Sequence, residues 1–181
     1  MKVYPSRFNI YLVMFAALAL FCGCQTHKSE PKEDKQMSAL RLYIESNVDP
    51  AGTSQTVSVL RSEPVSVTIM HEPILTEADI IAARVLDAPA GAGFAVEIKL
   101  ADMPTLLLEQ YSAANPDKHF VIWGQWGDKA RDTRWLAAPL ITHRISDGVL
   151  AFTPDMSRDD AYRLVLGLNN LAKKTAKAAM K

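Results

Sequence analysis

The chain has 181 residues, with 49% hydrophobic and 22% charged side chains, a globular composition that excludes fibrous and wholly disordered classes. Lys plus Arg and Asp plus Glu both total 20, so no global field marks nucleic acid as a partner. Both cysteines, Cys22 and Cys24, sit near the start of the chain, which excludes a disulfide or a cysteine-based metal site in the remainder. That remainder amounts to one ordinary domain.

Lys2 and Arg7 precede an apolar run, Ile10–Phe21, broken only by Tyr11. The run falls short of the roughly 20 residues a bilayer span needs, and it suits the core of a signal peptide. It ends in Leu20-Phe21-Cys22-Gly23-Cys24-Gln25, which resembles the lipobox of bacterial lipoproteins. In that family a small residue stands before the cysteine that receives the lipid. Gly23 meets that requirement for Cys24, whereas Phe21 does not for Cys22. The resemblance implies a lipoprotein signal peptide over 1–23, lipidation at Cys24, and a membrane-held domain facing the periplasm. Gln25 after that cysteine favours the outer membrane over the inner. Seven of the twelve residues Gln25–Gln36 are charged or proline, so 24–37 reads as a lipidated cysteine and flexible spacer.

The domain then runs over 38–181. Leu40, Leu42 and Ile44 alternate with Arg41, Tyr43 and Glu45, the period of two of a half-buried strand. Val57 and Val59, then Val65, Val67 and Ile69, give two more strands. Thr76-Glu77-Ala78-Asp79 has capping-box spacing and starts a short helix, followed by a strand over Arg84–Ala88 and a loop at Pro89–Gly93. Phe94, Val96, Ile98 and Leu100 give the clearest alternation in the chain. Pro104 suits the first turn of a helix whose Leu107, Tyr111 and Ala114 share one face, and Asn115-Pro116 stops it. Lys118–Trp126 reads as a strand, as do Trp135–Ile145 and Val149–Phe152, which flank the hairpin signal Asp147-Gly148. Ser157 caps a final helix with Ala161, Leu164, Val165, Leu168, Leu171 and Ala172 at helical spacing. These elements predict an α+β fold, an antiparallel or mixed sheet with two main helices packed on one face.

The stretch Glu72-Pro73-Ile74-Leu75-Thr76-Glu77-Ala78-Asp79-Ile80, followed by Ala83 and Val85, resembles the start of the head subdomain in the first periplasmic domain of SecD. The strand Phe94–Leu100, the helix Pro104–Ala114, Phe120–Ile122, Ala138-Pro139 and Phe152-Thr153-Pro154 come next, in the order that family keeps. The resemblance runs from about Arg61 to Leu171, and it implies a SecD-head-like fold with an affinity for protein partners or exported polypeptide. The membrane-spanning motor of SecD has no counterpart here, so its activity does not carry over.

No catalytic constellation appears. The histidines His27, His71, His119 and His143 lack metal-ligand spacing, and no phosphate loop or nucleophile elbow is present. Asp159 and Asp160 stand in the first turn of a helix, where the dipole explains them. The chain therefore reads as non-enzymatic, with no cofactor, metal or nucleic acid as partner. All three tryptophans, Trp123, Trp126 and Trp135, flank the charged stretch Asp128–Arg134. Trp126, Arg131 and Arg134 are the candidate binding residues, able to clamp an extended peptide or, in a second reading, to stack on sugar in a cell-wall binding lipoprotein. Packing of the rings on the sheet is the alternative.

Overall fold

A computed structural model describes residues 36–60, 62–87, 93–127 and 130–179, within the compact unit Lys32–Lys181. Cys24 and most of the Pro89–Gly93 loop lie outside the described residues. Among these described residues, eight strands form three antiparallel sheets. They are β1 (Ala39–Ile44), β2 (Ser54–Val59), β3 (Val65–Met70), β4 (Ile80–Asp87), β5 (Phe94–Leu100), β6 (Phe120–Trp126), β7 (Asp132–Ala137) and β8 (Val149–Phe152). The strand orders are β1-β6-β7, β2-β3 and β4-β5-β8. The helices are α1 (Asp102–Ala114) and α2 (Arg158–Ala179). The fold is α+β, as the periodicities require.

The β1-β6-β7 sheet is covered on both sides. Successive side chains of β6 point to opposite faces, and Phe120, Ile122 and Trp126 enter the larger core with Leu40, Leu42, Ile44 and both helices. Val121 and Trp123 enter a second core with Tyr43, Trp135 and the β2–β3 hairpin residues Val59, Val67 and Ile69. Both helices thus contribute to one side of this sheet and the hairpin closes the other. The β4-β5-β8 sheet completes the larger core through Val96, Ile98, Leu100, Leu150 and Phe152.

Local signals set the ends of several elements. Thr76 and Asp79 form a reciprocal capping box at the one-turn 3-10 helix Glu77–Asp79, with Thr76 N–H donating to Asp79 Oδ2 at 2.7 Å. Ser157 Oγ accepts from Asp160 N–H at 3.1 Å and donates to the Asp160 carboxylate at 2.7 Å, starting α2, and Asp159 stands beside it in the first turn.

Three expectations are corrected. First, α1 buries Leu108 and Ser112 rather than Leu107 and Ala114, and Leu107 is 37% exposed. The run Leu106-Leu107-Leu108 fits either face by period, and docking decides: Ser112 Oγ accepts from Ile145 N–H at 2.9 Å, which turns that side inward. Second, the strand expected over Trp135–Ile145 begins at Asp132 and ends at Ala137. Beyond it Pro139 cannot donate, so the chain runs along β6 only through scattered bonds such as Phe120 N–H to Pro139 O at 3.0 Å. Third, Asp147-Gly148 makes a turn, with Gly148 at φ +69°, but no hairpin: β8 pairs with β5, Ile98 opposite Leu150. A side chain at Gly148 would strike Thr105 of α1, so this glycine lets helix and turn meet.

The start of the domain is bound to α2. Gln36 Nε2 donates to Arg163 O at 3.0 Å and Asn170 Nδ2 donates to Gln36 O at 3.0 Å. Gly167 lies beneath, and a Cβ there would stand 2.6 Å from the backbone nitrogen of Ser38. Gly167→Ala removes a mid-helix glycine, a gain of about 1 kcal/mol, yet overpacking against backbone costs about 1–3 kcal/mol. The expected result is a net loss of stability in urea denaturation. A rise in stability would show that β1 is not held at this distance.

Candidate functional site

The β6–β7 hairpin carries the three binding candidates, and the structure separates them. Trp126 is 1% exposed and belongs to the larger core, so its face is closed to a ligand from solvent. Its indole N–H meets no hydrogen-bond acceptor. Arg134 crosses from β7, with its guanidinium carbon 5.8 Å from the Trp126 ring centroid. Nη1 of Arg134 also donates to Asp155 O at 2.9 Å. Trp126 and Arg134 therefore join β6, β7 and the turn before α2 into one packed unit. Arg131 alone of the three is exposed.

The other two tryptophans also pack on the sheet. The rings of Tyr43 and Trp135 meet edge to face, with centroids 5.3 Å apart. The Arg41 guanidinium carbon lies 5.3 Å from the Trp123 ring centroid. A signal for the burial of Trp126 was present: counting in twos from Phe120 and Ile122 places it on their face.

Arg131 lines a cleft of about 340 Å³ with Gln36, Asp132 and Arg163. Arg163 reaches Asp160 at 3.5 Å. The cleft thus brings one sequence-chosen residue, Arg131, together with α2 and the start of the domain. Among the described residues its charged lining is two guanidinium groups and the Asp132 carboxylate, with Arg163 also paired to Asp160.

His119 has a partner that spacing could not reveal, 74 residues away. Its backbone N–H donates to Glu45 Oε2 at 2.9 Å, and its Nδ1 lies 2.7 Å from the same oxygen. Burial pushes the Glu45 carboxyl up, but the hydrogen bonds and charge of His119, with Lys118, outweigh it and hold the group below its ordinary value. Among the described residues no group of three or more His, Cys, Asp or Glu is placed to hold a metal ion. No helix there is long and apolar enough to cross a membrane.

Sequence reasoning missed an apolar surface on α1. Met103 is 75% exposed and Leu106 58% exposed, beside Leu107. Leu107, Gln110, Tyr111, Ala114 and Asn115 line a second cleft of about 270 Å³. The Met103, Leu106, Leu107, Gln110 spacing was available as a second helical stripe.

No family model and no curated protein matches this chain. Its fold is similar to solved structures of SecDF. One, described as a membrane component that enhances protein export, aligns with 94% of this chain and 71% of its own, at TM-score 0.51 and 17% identity. SecDF in a super-membrane-facing form aligns over 91% of this chain at TM-score 0.46 and 13% identity. SecDF from Thermus thermophilus, described as translocon-associated, does so at TM-score 0.40 and 13% identity. This chain covers 34% of each of those last two. At such identities the likeness is one of fold, and it agrees with the SecD-like order of motifs.

The site sets two expected outcomes. Trp126→Ala empties a core position and is expected to cost about 3–5 kcal/mol in chemical denaturation, while Arg131→Ala stays within about 0.5 kcal/mol. Equal, small effects would mean that Trp126 is not in the core. Because the Glu45 carboxyl is depressed, its stabilisation is present above the ordinary carboxylate value of 4.5 and is lost as pH falls through the lower folded value. Melting temperature measured against pH should therefore fall less steeply on the acid side for Glu45→Gln than for the native chain.

Proposed function

We propose that this chain is a lipid-anchored, non-enzymatic protein of the cell envelope whose SecD-like domain binds protein partners or exported polypeptide. The observation that carries this reading is the likeness of fold, over 94% of the chain, to a SecDF structure described as enhancing protein export. The leader supports the location: basic residues, an apolar run too short to span, and Gly23-Cys24 at its end. Several acyl chains on one cysteine exceed the two signals that stable anchoring needs. The domain would face the periplasm, with the outer membrane favoured by Gln25.

The competing reading, a carbohydrate or cell-wall binder using the Trp123–Trp135 loop, loses support because Trp126 is buried and the other two rings pack in the second core. A binding role through Arg131 and its cleft is compatible with a polypeptide, whose carbonyl groups accept from guanidinium donors.

Metabolic labelling tests the anchor: the native chain should take up radiolabelled palmitate and Cys24→Ser should take up none. Photo-cross-linking from position 131 in intact cells tests the partner. Adducts with translocon subunits or with chains in export are expected. Adducts with glycan alone would replace this reading with the cell-wall one.

A further inference from the structure

The last two turns of α2 stand clear of the core. Leu168 is buried, whereas every residue from Lys173 to Ala179 is exposed, so this part of the helix projects without a packed face. Lys173, Lys174 and Lys177 lie there, and no Asp or Glu follows Asp160 in the sequence. A cation in the last turn of a helix is favourable by itself, but that effect fades within one turn. It accounts for Lys177 and leaves Lys173 and Lys174, more than a turn before Ala179, without a structural reason. Among the described residues none of the three has a salt-bridge partner, the carboxylates Glu77 and Asp79 of the 3-10 helix packed on α2 included.

These lysines lie beside the place where the leading chain joins the domain. Gly167, Asn170, Lys174 and Lys177 recur at three and four residues, which puts them on one helix face. The contacts fix that face. A Cβ at Gly167 would meet Ser38, Asn170 Nδ2 donates to Gln36 O at 3.0 Å, and Lys174 Nζ lies 3.4 Å from Met37 Sδ. Lys177 follows one turn further along. On the reading that Cys24 carries lipid, twelve residues join that lipid to Gln36 and reach at most about 40 Å. The entry point and the lysines beside it are then the part of the described domain closest to the lipid along the chain.

We infer that the lysine face at the end of α2 docks on an anionic phospholipid surface, a second membrane contact beside the lipid on Cys24. This rests on the membrane-held reading above and gives the domain an orientation. The end of α2 meets the bilayer, while β1 starts at Ala39 near the entry and carries Val48, beyond its far end, roughly 20 Å away. Thr175, Ala176, Ala178 and Ala179 offer no large apolar side chain to bury among acyl chains. The contact is therefore electrostatic, and salt weakens it. The chain's own spacer is a poorer occupant, because its Lys28, Lys32 and Lys35 balance Glu30, Glu33 and Asp34. A second copy would bring like charge against like.

The test reconstitutes the full chain into vesicles of about one-third phosphatidylglycerol in phosphatidylcholine, with a benzophenone amino acid in place of Ala178 or, as a control, of the exposed Val48. After illumination, mass spectrometry should find phospholipid adducts from position 178 and at least tenfold fewer from position 48. Vesicles of phosphatidylcholine alone, or high salt, should remove most of the adducts from position 178. The triple variant Lys173→Glu, Lys174→Glu, Lys177→Glu should lower them at least tenfold, with native circular dichroism and flotation with the vesicles retained, and the same three changes to Gln should act in the same direction. If the chain floats but positions 178 and 48 label alike, or the triple variants change nothing, the docking is wrong while membrane holding stands. If the chain does not float, both readings fall; palmitate labelling reports on the anchor separately. Adducts from position 178 to the spacer or to a second copy, in place of phospholipid, would make that segment the occupant and overturn the inference.

Discussion

The architecture depends on one strand being buried from both sides. Along β6, the side chains of Phe120, Ile122 and Trp126 go to one core, and those of Val121 and Trp123 to the other. A one-residue slip of β6 would exchange the two sets and spoil both cores at once, so its register against β1, Leu42 opposite Ile122, is fixed twice over. Helices and hairpin then have no choice of side: each covers the set of side chains that β6 presents to it. The central Gly124 belongs to the same scheme, since a Cβ there would meet Leu136 Cδ1 at 2.5 Å.

Around that spine, polar contacts close the joints between layers. Asn169 clasps the β4 backbone, Arg134 joins β7 to the turn before α2, and Glu45 receives two contacts from His119. Arg84 and Glu97 pair side by side on the outer face of the β4-β5 ladder, with Nε to Oε1 at 2.7 Å and Nη2 to Oε2 at 3.0 Å. Each of these joins residues 13 or more positions apart in sequence.

How much of this was legible depends on how local each signal is. Alternation alone located β2, β3 and β5 because each presents one face to a core and the other mainly to polar neighbours. It located β1 because Leu40, Leu42 and Ile44 share one core while Arg41 and Glu45 flank Tyr43 on the other face. The capping residues Thr76 and Ser157 placed two starts because a cap is decided within four residues. Partners were harder. Asp147-Gly148 encodes a left-handed backbone, not the strand that its product will join, and β8 went to β5 across about 50 residues of chain. The three leucines of α1 satisfy two stripes, so only the docking of Ser112 on Ile145 reveals which faces out. Of the chosen binding residues, Trp126 and Arg134 look in sequence like a recognition pair, because aromatic and basic residues beside a glycine occur in packed hairpins as well as in open ones.

The grip of α2 on the first described residues also has a mechanical meaning. The chain before Gln36 reaches the domain through a point held by Arg163 and Asn170 of α2, with β1 continuing directly from it. A pull through that point is met first by the two Gln36 hydrogen bonds. It is then transmitted to β1, whose six residue pairs with β6 lie between the two cores. Because α2 touches both β1 and β4, the load spreads into two sheets at once instead of peeling one strand away. A domain held to a surface by its leading end keeps its shape best when that end is anchored in this way.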